Sequence, residues 1–372
     1  MKSQVSRIIT KVLYIFGVCI IIALFQICTS IFPAFHHFYF FTFYPAFSST
    51  WRLLTGWCPF SIGDIIYVIV AVWLVSGGVL FIKNLLRLQK DKLVWLHTLL
   101  RFLLIVAVAY GIFIIFWGMN YRYNRLQKDF QISALHYPAG LLVQLCDTLA
   151  ARANEQHFIL AGNDTLPVQH FLTFRQIKKE IPENYERIAK IFPQLKYVHP
   201  SIKPSMFGYL MDYPGVTGYY NPFTGEAQVN TTPFPVGLPF TACHEVAHQL
   251  GFAAEEDANF VGYLVASTSP DPYFRYSANF EMFLYGINVL SWRDPHLADS
   301  LWKTLISSGV HKDYEKDFEF YDRFKTSFRP MLNDMYDQYL KANEQSKGIR
   351  SYDEVISLLI NYIQKNGKLP GY

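Results

Sequence analysis

The stretch of sequence that decides the fold is Pro239-Phe240-Thr241-Ala242-Cys243-His244-Glu245-Val246-Ala247-His248-Gln249-Leu250-Gly251. Pro239 fits the first turn of a helix, because the N–H group that proline lacks would have no partner there. Gly251 falls where a helix ending at Gln249 or Leu250 needs a left-handed residue. The stretch therefore predicts a helix of about three turns, with His244 and His248 one turn apart on the same face.

This spacing is typical of a metal site. Two histidines one turn apart can reach one metal ion, and neutral imidazole suits Zn²⁺. Glu245 lies beside them and can accept a proton from a zinc-bound water, whose pKa is lowered to about 7. We therefore predict that His244 and His248 are zinc ligands and that Glu245 is a general base. The alternative is a polar helix face on which both histidines are simply hydrogen-bonded. This alternative does not explain why Glu245 lies beside them.

A second helical pattern begins directly after Gly251 and opens with Glu255-Glu256-Asp257. Acidic residues are common in the first turn of a helix because of its dipole, so solvated carboxylates are one interpretation. One tight turn after two candidate ligands, the cluster also offers a third ligand. Consecutive helical residues differ by about 100° in direction, so at most one of them faces the metal. Because Glu255 shares a face with Asn259, which can orient the carboxylate or a ligand histidine, we favour Glu255 over Glu256.

The pattern His244-Glu245-x-x-His248, followed by Glu255-x-x-Ala258-Asn259, resembles the gluzincin class of zinc metallopeptidases. The resemblance implies a zincin-like fold in which a glutamate of the downstream helix completes the zinc site. Two features depart from the class: Glu255 follows His248 by only seven residues, and Asn259 stands in place of the usual aspartate. More closely, the region from His244 to Tyr263, after three apolar segments, resembles a bacterial membrane-protein family that carries only a domain-of-unknown-function label, DUF3810. That family implies no substrate.

Residues 204–237, upstream of the predicted helix, are rich in Pro, Gly, Tyr and Thr. A turn signature at 221–225 separates two short β-like runs and predicts a hairpin. Many zinc peptidases hold their substrate as an additional strand on a sheet edge above the active-site helix. Residues 216–230 are placed to form such an edge, and an ordinary hairpin packed on helices fits equally well. Helical periodicity accounts for most of the remaining domain, at 138–155, 172–192, 277–292, 298–307, 314–345 and 351–365.

Three apolar segments near the N-terminus are long enough to cross a bilayer, at about 12–32, 65–82 and 102–121. A cleaved signal peptide is an alternative for the first segment. Its apolar run is longer than usual and no small-residue cleavage site follows it, so we predict a retained helix. The predicted architecture is mostly α, with a membrane domain of three transmembrane helices at 1–121 and a zincin-like α+β domain at 122–372.

Charge predicts the orientation of these segments. Residues 1–118 hold nine Lys and Arg against two acidic residues, which leaves a net charge of −3 for the rest of the chain. The basic residues lie before the first segment and between the second and third, whereas Arg52 is alone in the 33–64 loop. By the positive-inside rule the N-terminus is cytoplasmic and residues 122–372 are extracytoplasmic, although Arg122, Arg125 and Lys128 argue weakly for the reverse. This distribution indicates a lipid bilayer as a partner rather than nucleic acid.

The sequence thus predicts a zinc metallopeptidase anchored in the bacterial inner membrane, with zinc on His244, His248 and Glu255 and with a peptide or protein substrate. A tyrosine or histidine elsewhere is expected to stabilise the oxyanion. The main alternative is a non-catalytic, membrane-anchored zinc-binding scaffold, although such a site has no need of Glu245. A transporter is disfavoured because three spans and one edge carboxylate, Asp64, make a poor conduit. The five scattered cysteines indicate no disulfide framework.

Overall fold

The computed structural model describes residues 2–87, 92–134, 136–326 and 351–371, with isolated positions between 330 and 338. The described chain is mostly helical and contains one small sheet, which confirms the predicted fold class. Its helices are α1 (Lys2–Ile31), α2 (Pro33–Phe38), α3 (Tyr44–Gly56), α4 (Ile62–Arg87), α5 (Lys92–Phe116), α6 (Ala139–Ala161), α7 (Phe174–Ala189), α8 (Gly208–Asp212), α9 (Leu238–Gln249), α10 (Glu255–Ser267), α11 (Pro272–Arg293), α12 (Pro295–Leu305), α13 (Ser308–Asp322) and α14 (Ser351–Asn366).

Three helices, α1, α4 and α5, are long and apolar enough to cross a membrane. Their candidate spans are Val5–Ile31, Ile62–Val79 and Trp95–Phe116. The third span ends five residues before the predicted limit of 121, because the helix changes at Trp117 into the short 3₁₀ turn Gly118–Arg122. Most side chains of these spans are exposed in the isolated chain, as expected for helices that face lipid.

The sheet has three strands, β1 (Ile202–Pro204), β2 (Gly218–Asn221) and β3 (Glu226–Val229). Their order is β1-β3-β2, with β1 parallel and β2 antiparallel to β3. The hairpin expected around 221–225 is therefore present, with Tyr220 opposite Ala227. Because β3 occupies the centre, β2 is an edge strand whose outer side is free of a neighbouring strand in the described sheet.

The helices predicted from periodicity are present, with boundaries that differ by a few residues. Helix α7 begins at a capping box in which Thr173 and Gln176 satisfy each other's backbone groups. Helix α13 covers only the first part of the predicted 314–345 helix. It ends at Asp322 and residues 325–326 are not helical, so the prediction of one continuous helix was wrong; most of its remainder lies outside the described residues. Helix α11 packs along α6, and α10 packs against α9. A single hydrophobic core runs through these helices and the sheet.

The segment between α1 and α4 belongs to the same packed body as the sheet and α9. The backbone carbonyl of Gln249, at the end of α9, accepts hydrogen bonds from Ser48 at 2.7 Å and Arg52 at 3.1 Å. At the first turn of α4, the N–H of Gly63 donates to the carboxylate of Glu226 in β3 at 2.6 Å. Asp64 accepts hydrogen bonds from the hydroxyl of Tyr219 and from a backbone N–H of the 205–207 segment. The apolar helix α4 is therefore joined directly to the sheet, and the domain boundary at 121 stays a prediction.

Candidate metal centre

His244, Glu245 and His248 lie on α9, and Glu255 is the first residue of α10. The two helices pack against each other and are joined by a tight turn. Gly251 adopts a left-handed φ of 91° in that turn, as predicted for the residue after the helix. This connection is short enough to bring the start of α10 back to the histidine face of α9.

The side chains of His244, His248 and Glu255 converge. The two histidine Nε2 atoms are 3.1 Å apart, and the Glu255 carboxylate oxygens lie 3.4 Å from Nε2 of His244 and 3.8 Å from Nε2 of His248. Three donors at ~2.1 Å from a tetrahedral zinc ion would be separated by ~3.4 Å. Among the described residues, these are the only three His, Cys, Asp or Glu side chains that form such a group. The donor set and its spacing fit zinc.

Neighbouring groups orient the two imidazole rings. Nδ1 of His248 lies 2.7 Å from the carbonyl oxygen of Phe252, so that nitrogen carries the proton and Nε2 is left for a metal. Asn259 interacts with His244, which places it where the sequence expects an orienting residue. The Nδ1 atom of His244 is nevertheless buried without a hydrogen bond of good geometry among the described residues.

Burial separates the proton affinities of these groups. Burial, assisted by the nearby His244, lowers the pKa of His248 to about 4, which favours the neutral ring that binds metals. For His244 burial is the largest single effect and acts in the same direction, but the hydrogen bond to Glu255, the negative charges of Glu245 and Glu255 and a hydrogen bond to Asn259 together raise its pKa. Burial raises the pKa of Glu245 to about 8, with His244 opposing and Glu255 adding to the shift.

Glu245 lies beneath the edge strand. Its side chain is only 3% exposed, and its Oε2 atom has no hydrogen-bond partner in the described part of the chain. A Cβ atom added to Gly218, the first residue of β2, would collide with Oε1 and Cγ of Glu245. Glycine at this position therefore lets β2 run directly over the carboxylate.

A cavity of about 740 Å³ is lined by His244, Glu245, His248 and Glu255, together with Asn259 and the 214–220 segment. Its walls include several residues that the sequence prediction missed: Trp117, Glu281, Tyr285, Asp317 and Tyr321. Burial, with Asp317 nearby, raises the pKa of Glu281 to about 8, and burial raises that of Asp317 to about 7. No local motif marks these residues, because they come from elements far apart in the sequence.

Glu256 and Asp257 face a different neighbour. The pKa of Glu256 is raised to about 9 by burial, by Asp257 and by a hydrogen bond to Glu354 of α14. Burial and Glu354 raise the pKa of Asp257 to about 7. Neither side chain lines the cavity. Of the three consecutive acidic residues, Glu255 is the one that joins the histidines.

Comparison with curated proteins and with solved structures found no match. Residues 39–360 match the family described as protein of unknown function (DUF3810). The match begins after α1 and includes α4, α5, the sheet and the whole candidate metal centre. Since it covers most of the sequence, the chain belongs to the DUF3810 family.

Proposed function

We propose that the protein is a membrane-anchored, gluzincin-like zinc metallopeptidase. The observation that carries the proposal is the convergence of His244, His248 and Glu255 in one cavity with a buried carboxylate, Glu245, whose Oε2 atom is free to act. Structural zinc sites usually have four protein ligands, whereas catalytic sites have three and leave one position open. Three ligands beside a cavity of this size support the catalytic alternative.

His244, His248 and Glu255 would hold the zinc ion. When bound, zinc lowers the pKa of a coordinated water and polarises the peptide carbonyl group. Phe252 fixes the His248 ring through its carbonyl oxygen, and Asn259 contacts the His244 ring. These contacts limit the reorganisation of the ligands when the metal binds.

Glu245 would move the protons of the reaction. Its free Oε2 atom accepts a proton from the attacking water and then donates it to the departing amine. Burial raises the pKa of this carboxyl to about 8 in the metal-free site, and the positive charge of a bound zinc ion would lower it toward the range in which a group accepts and donates a proton near neutral pH. Tyr285 and Tyr321 line the same cavity and are the candidates for stabilising the oxyanion.

The edge strand β2 would bind the substrate backbone. Residues 216–220 line the cavity, and the inner side of β2 is already paired with β3. A peptide that extends the sheet on the outer side of β2 runs alongside Gly218, the residue that packs directly against Glu245. The function therefore requires an extended peptide or an unfolded protein segment.

The positive-inside rule supports a cytoplasmic N-terminus and an extracytoplasmic catalytic centre in the inner membrane. The peptide or protein substrate would then be encountered on the outer side of that membrane.

Metal content and hydrolysis, measured together on the purified full chain, test the proposal. The wild type should contain about one zinc ion and cleave a fluorogenic pool of degenerate peptides. Glu245→Gln should keep the zinc and the fold but lose ~10²–10⁴-fold in rate, because only the proton acceptor is removed. Zinc binding without hydrolysis in the wild type would favour the scaffold alternative, and a wild type without zinc would make the histidines structural.

A further inference from the structure

The cavity that contains the candidate metal centre is bounded by the end of a candidate membrane span. Phe113 lies in the last turn of α5, and Trp117 and Tyr121 follow it; all three line the cavity. The Trp117 ring lies 6.2 Å from the His248 ring and 4.5 Å from the ring of Tyr220 in β2. A single aromatic side chain therefore separates the end of the span from the metal ligands.

The edge strand is also attached to the beginning of another span. The Tyr219 hydroxyl in β2 donates a hydrogen bond to Asp64, the third residue of the span Ile62–Val79. Its ring stacks on Tyr67, one turn further along α4, with 6.4 Å between the ring centroids. The strand that covers Glu245 thus touches the outer ends of α4 and α5 through adjacent residues.

The surface beside these contacts is suited to the boundary between lipid and water. Trp57 and Phe60, which directly precede α4, are 79% and 50% exposed. Trp and Tyr are concentrated at that boundary, where their rings are partly in lipid and their polar groups remain in water. With α5 crossing the bilayer, a cavity bounded by the end of this helix and lying beside these exposed rings is at the membrane surface.

On the basis of the function proposed above, we propose that the substrate is a bilayer-anchored polypeptide, cut in the stretch that adjoins its membrane anchor. A peptide bound along β2 runs between the ends of two spans and remains at the level of the lipid headgroups. A membrane anchor holds such a stretch in this layer and raises its local concentration. A freely soluble peptide has neither advantage.

Spacer length provides the test, because it measures the distance between anchor and site. The full chain carrying Glu245→Gln, loaded with zinc in a lipid nanodisc, is titrated with degenerate peptides that carry a palmitoyl chain or a Leu-rich transmembrane helix. Gly-Ser spacers of about 4, 12 and 32 residues separate anchor and peptide, and the shortest reaches at most ~14 Å. An acyl-free peptide is the reference.

For a site at the membrane surface, the shortest spacer should give the tightest binding. The longest spacer should raise Kd about twentyfold, because effective concentration falls with roughly the −3/2 power of linker length. Affinity that is flat or that improves with spacer length overturns the inference, as does an acyl-free peptide that binds as well as the short-spacer probe. If only one kind of anchor gives the dependence, it identifies the anchor of the natural substrate.

Hydrolysis of the same probes by the wild type separates this inference from the function on which it rests. Cleavage of every probe at equal rates would support the proposed peptidase activity and would refute the inference that the substrate is cut next to its membrane anchor. If zinc is bound and no probe is cleaved, the peptidase proposal fails, and the spacer dependence of binding still decides where the site lies.

A pair of variants tests the aromatic wall. Tyr121→Ser should weaken binding of the short-spacer probe several-fold more than it weakens binding of the acyl-free peptide. Tyr209→Ser is the matched control, since Tyr209 is 62% exposed and does not line the cavity. Equal effects of the two variants, or an equal loss for both probes, would assign Tyr121 a purely structural role.

Discussion

At the scale of single residues, the candidate centre contains two carboxylates with different surroundings. Glu255 is 23% exposed and lies against both histidine Nε2 atoms, so its oxygens are committed to the metal site. Glu245 is more deeply buried, and one of its oxygens has no hydrogen-bond partner in the described chain. The first environment is suited to holding a cation, and the second to exchanging a proton.

Glu255 and Glu256 differ in what they contact, which makes a matched pair of variants informative. Glu255→Gln should weaken zinc binding by about 10²-fold, because a neutral amide replaces a charged ligand. Glu256→Gln should leave zinc affinity unchanged, since Glu256 faces Glu354 on α14. Zinc titration against a competing chelator measures both. If only Glu256→Gln lost the metal, α10 would be rotated from the orientation described above.

Glu281 should make stability depend on pH. Its pKa is raised from 4.5 to about 8 by burial, with Asp317 nearby. Its stabilising contribution is therefore complete below pH about 4.5 and is lost as the pH rises through about 8. Glu281→Gln should raise the free energy of unfolding by about 2 kcal/mol at pH ~9, with a smaller effect at pH ~5.

Thermal unfolding of the detergent-solubilised chain, with a chelator present at each pH, measures this difference. Glu315→Gln, at an exposed position on α13, is the control and should behave as the wild type. A constant difference between Glu281→Gln and the wild type across the pH range would show that Glu281 is not buried in solution.

The site residues that could be predicted are those whose spacing within a short stretch of sequence indicates their role. His244, Glu245, His248 and Glu255 lie within twelve consecutive positions, and helix periodicity alone indicates which of them share a face. Trp117 and Tyr285 had no such signal, because they reach the cavity through tertiary packing, Trp117 from the residue after α5 and Tyr285 from α11. Aromatic residues are also so frequent in this chain that the presence of one at a given position does not indicate a functional site.

At the scale of elements, the distance between β2 and α9 determines whether the Glu245 carboxylate can be positioned for proton transfer. In Gly218→Ala the new methyl group should clash with the side chain of Glu245 and with the carbonyl oxygen of Gln228. We expect normal zinc content with hydrolysis reduced by about 10²-fold, the size of effect produced by a small misplacement of a catalytic group. The measurement is the rate per bound zinc ion.

Gly140→Ala is the matched control for this prediction. Gly140 lies in the first turn of α6, and an added Cβ atom there meets nothing within 4 Å in the described chain. This variant should keep full activity and gain slightly in stability, because alanine favours the helix. Full activity of Gly218→Ala would mean that β2 is further from Glu245 than the structure indicates.

The hairpin and the helices were predictable because turn residues and periodicity are local properties. Strand β1 was not, since it has only three residues and pairs in parallel with β3 across more than twenty residues. The early end of α5 also escaped prediction, because residues 117–121 contain no charged side chain that would mark the end of the uncharged segment. At the point where the α-helix ends, the ring of Trp117 packs against Tyr44 and Tyr220.

At the scale of the whole molecule, the orientation in the membrane is the next property to test. The positive-inside rule predicts that Lys83 faces the cytoplasm and that Ser300, on α12, lies outside. In a cysteine-free background, Ser300→Cys should react with an impermeant maleimide on spheroplasts, and Lys83→Cys should react only after lysis. The opposite labelling pattern would invert the topology and move the proposed substrates to the cytoplasmic side.

The hydrogen bonds from α3 to the end of α9 have a consequence for the order of events during synthesis. Ser48 and Gln249 are 201 residues apart in the sequence, and Tyr44 and His248 are 204 apart. The ribosome must therefore deliver α4, α5 and the sheet before these groups can meet, and contacts of such long range form late in folding. We expect the candidate metal centre to remain unassembled while the apolar helices enter the bilayer. Substitutions near residue 50 should then destabilise the folded chain more than they slow its folding, because contacts that form late have little effect on the folding rate.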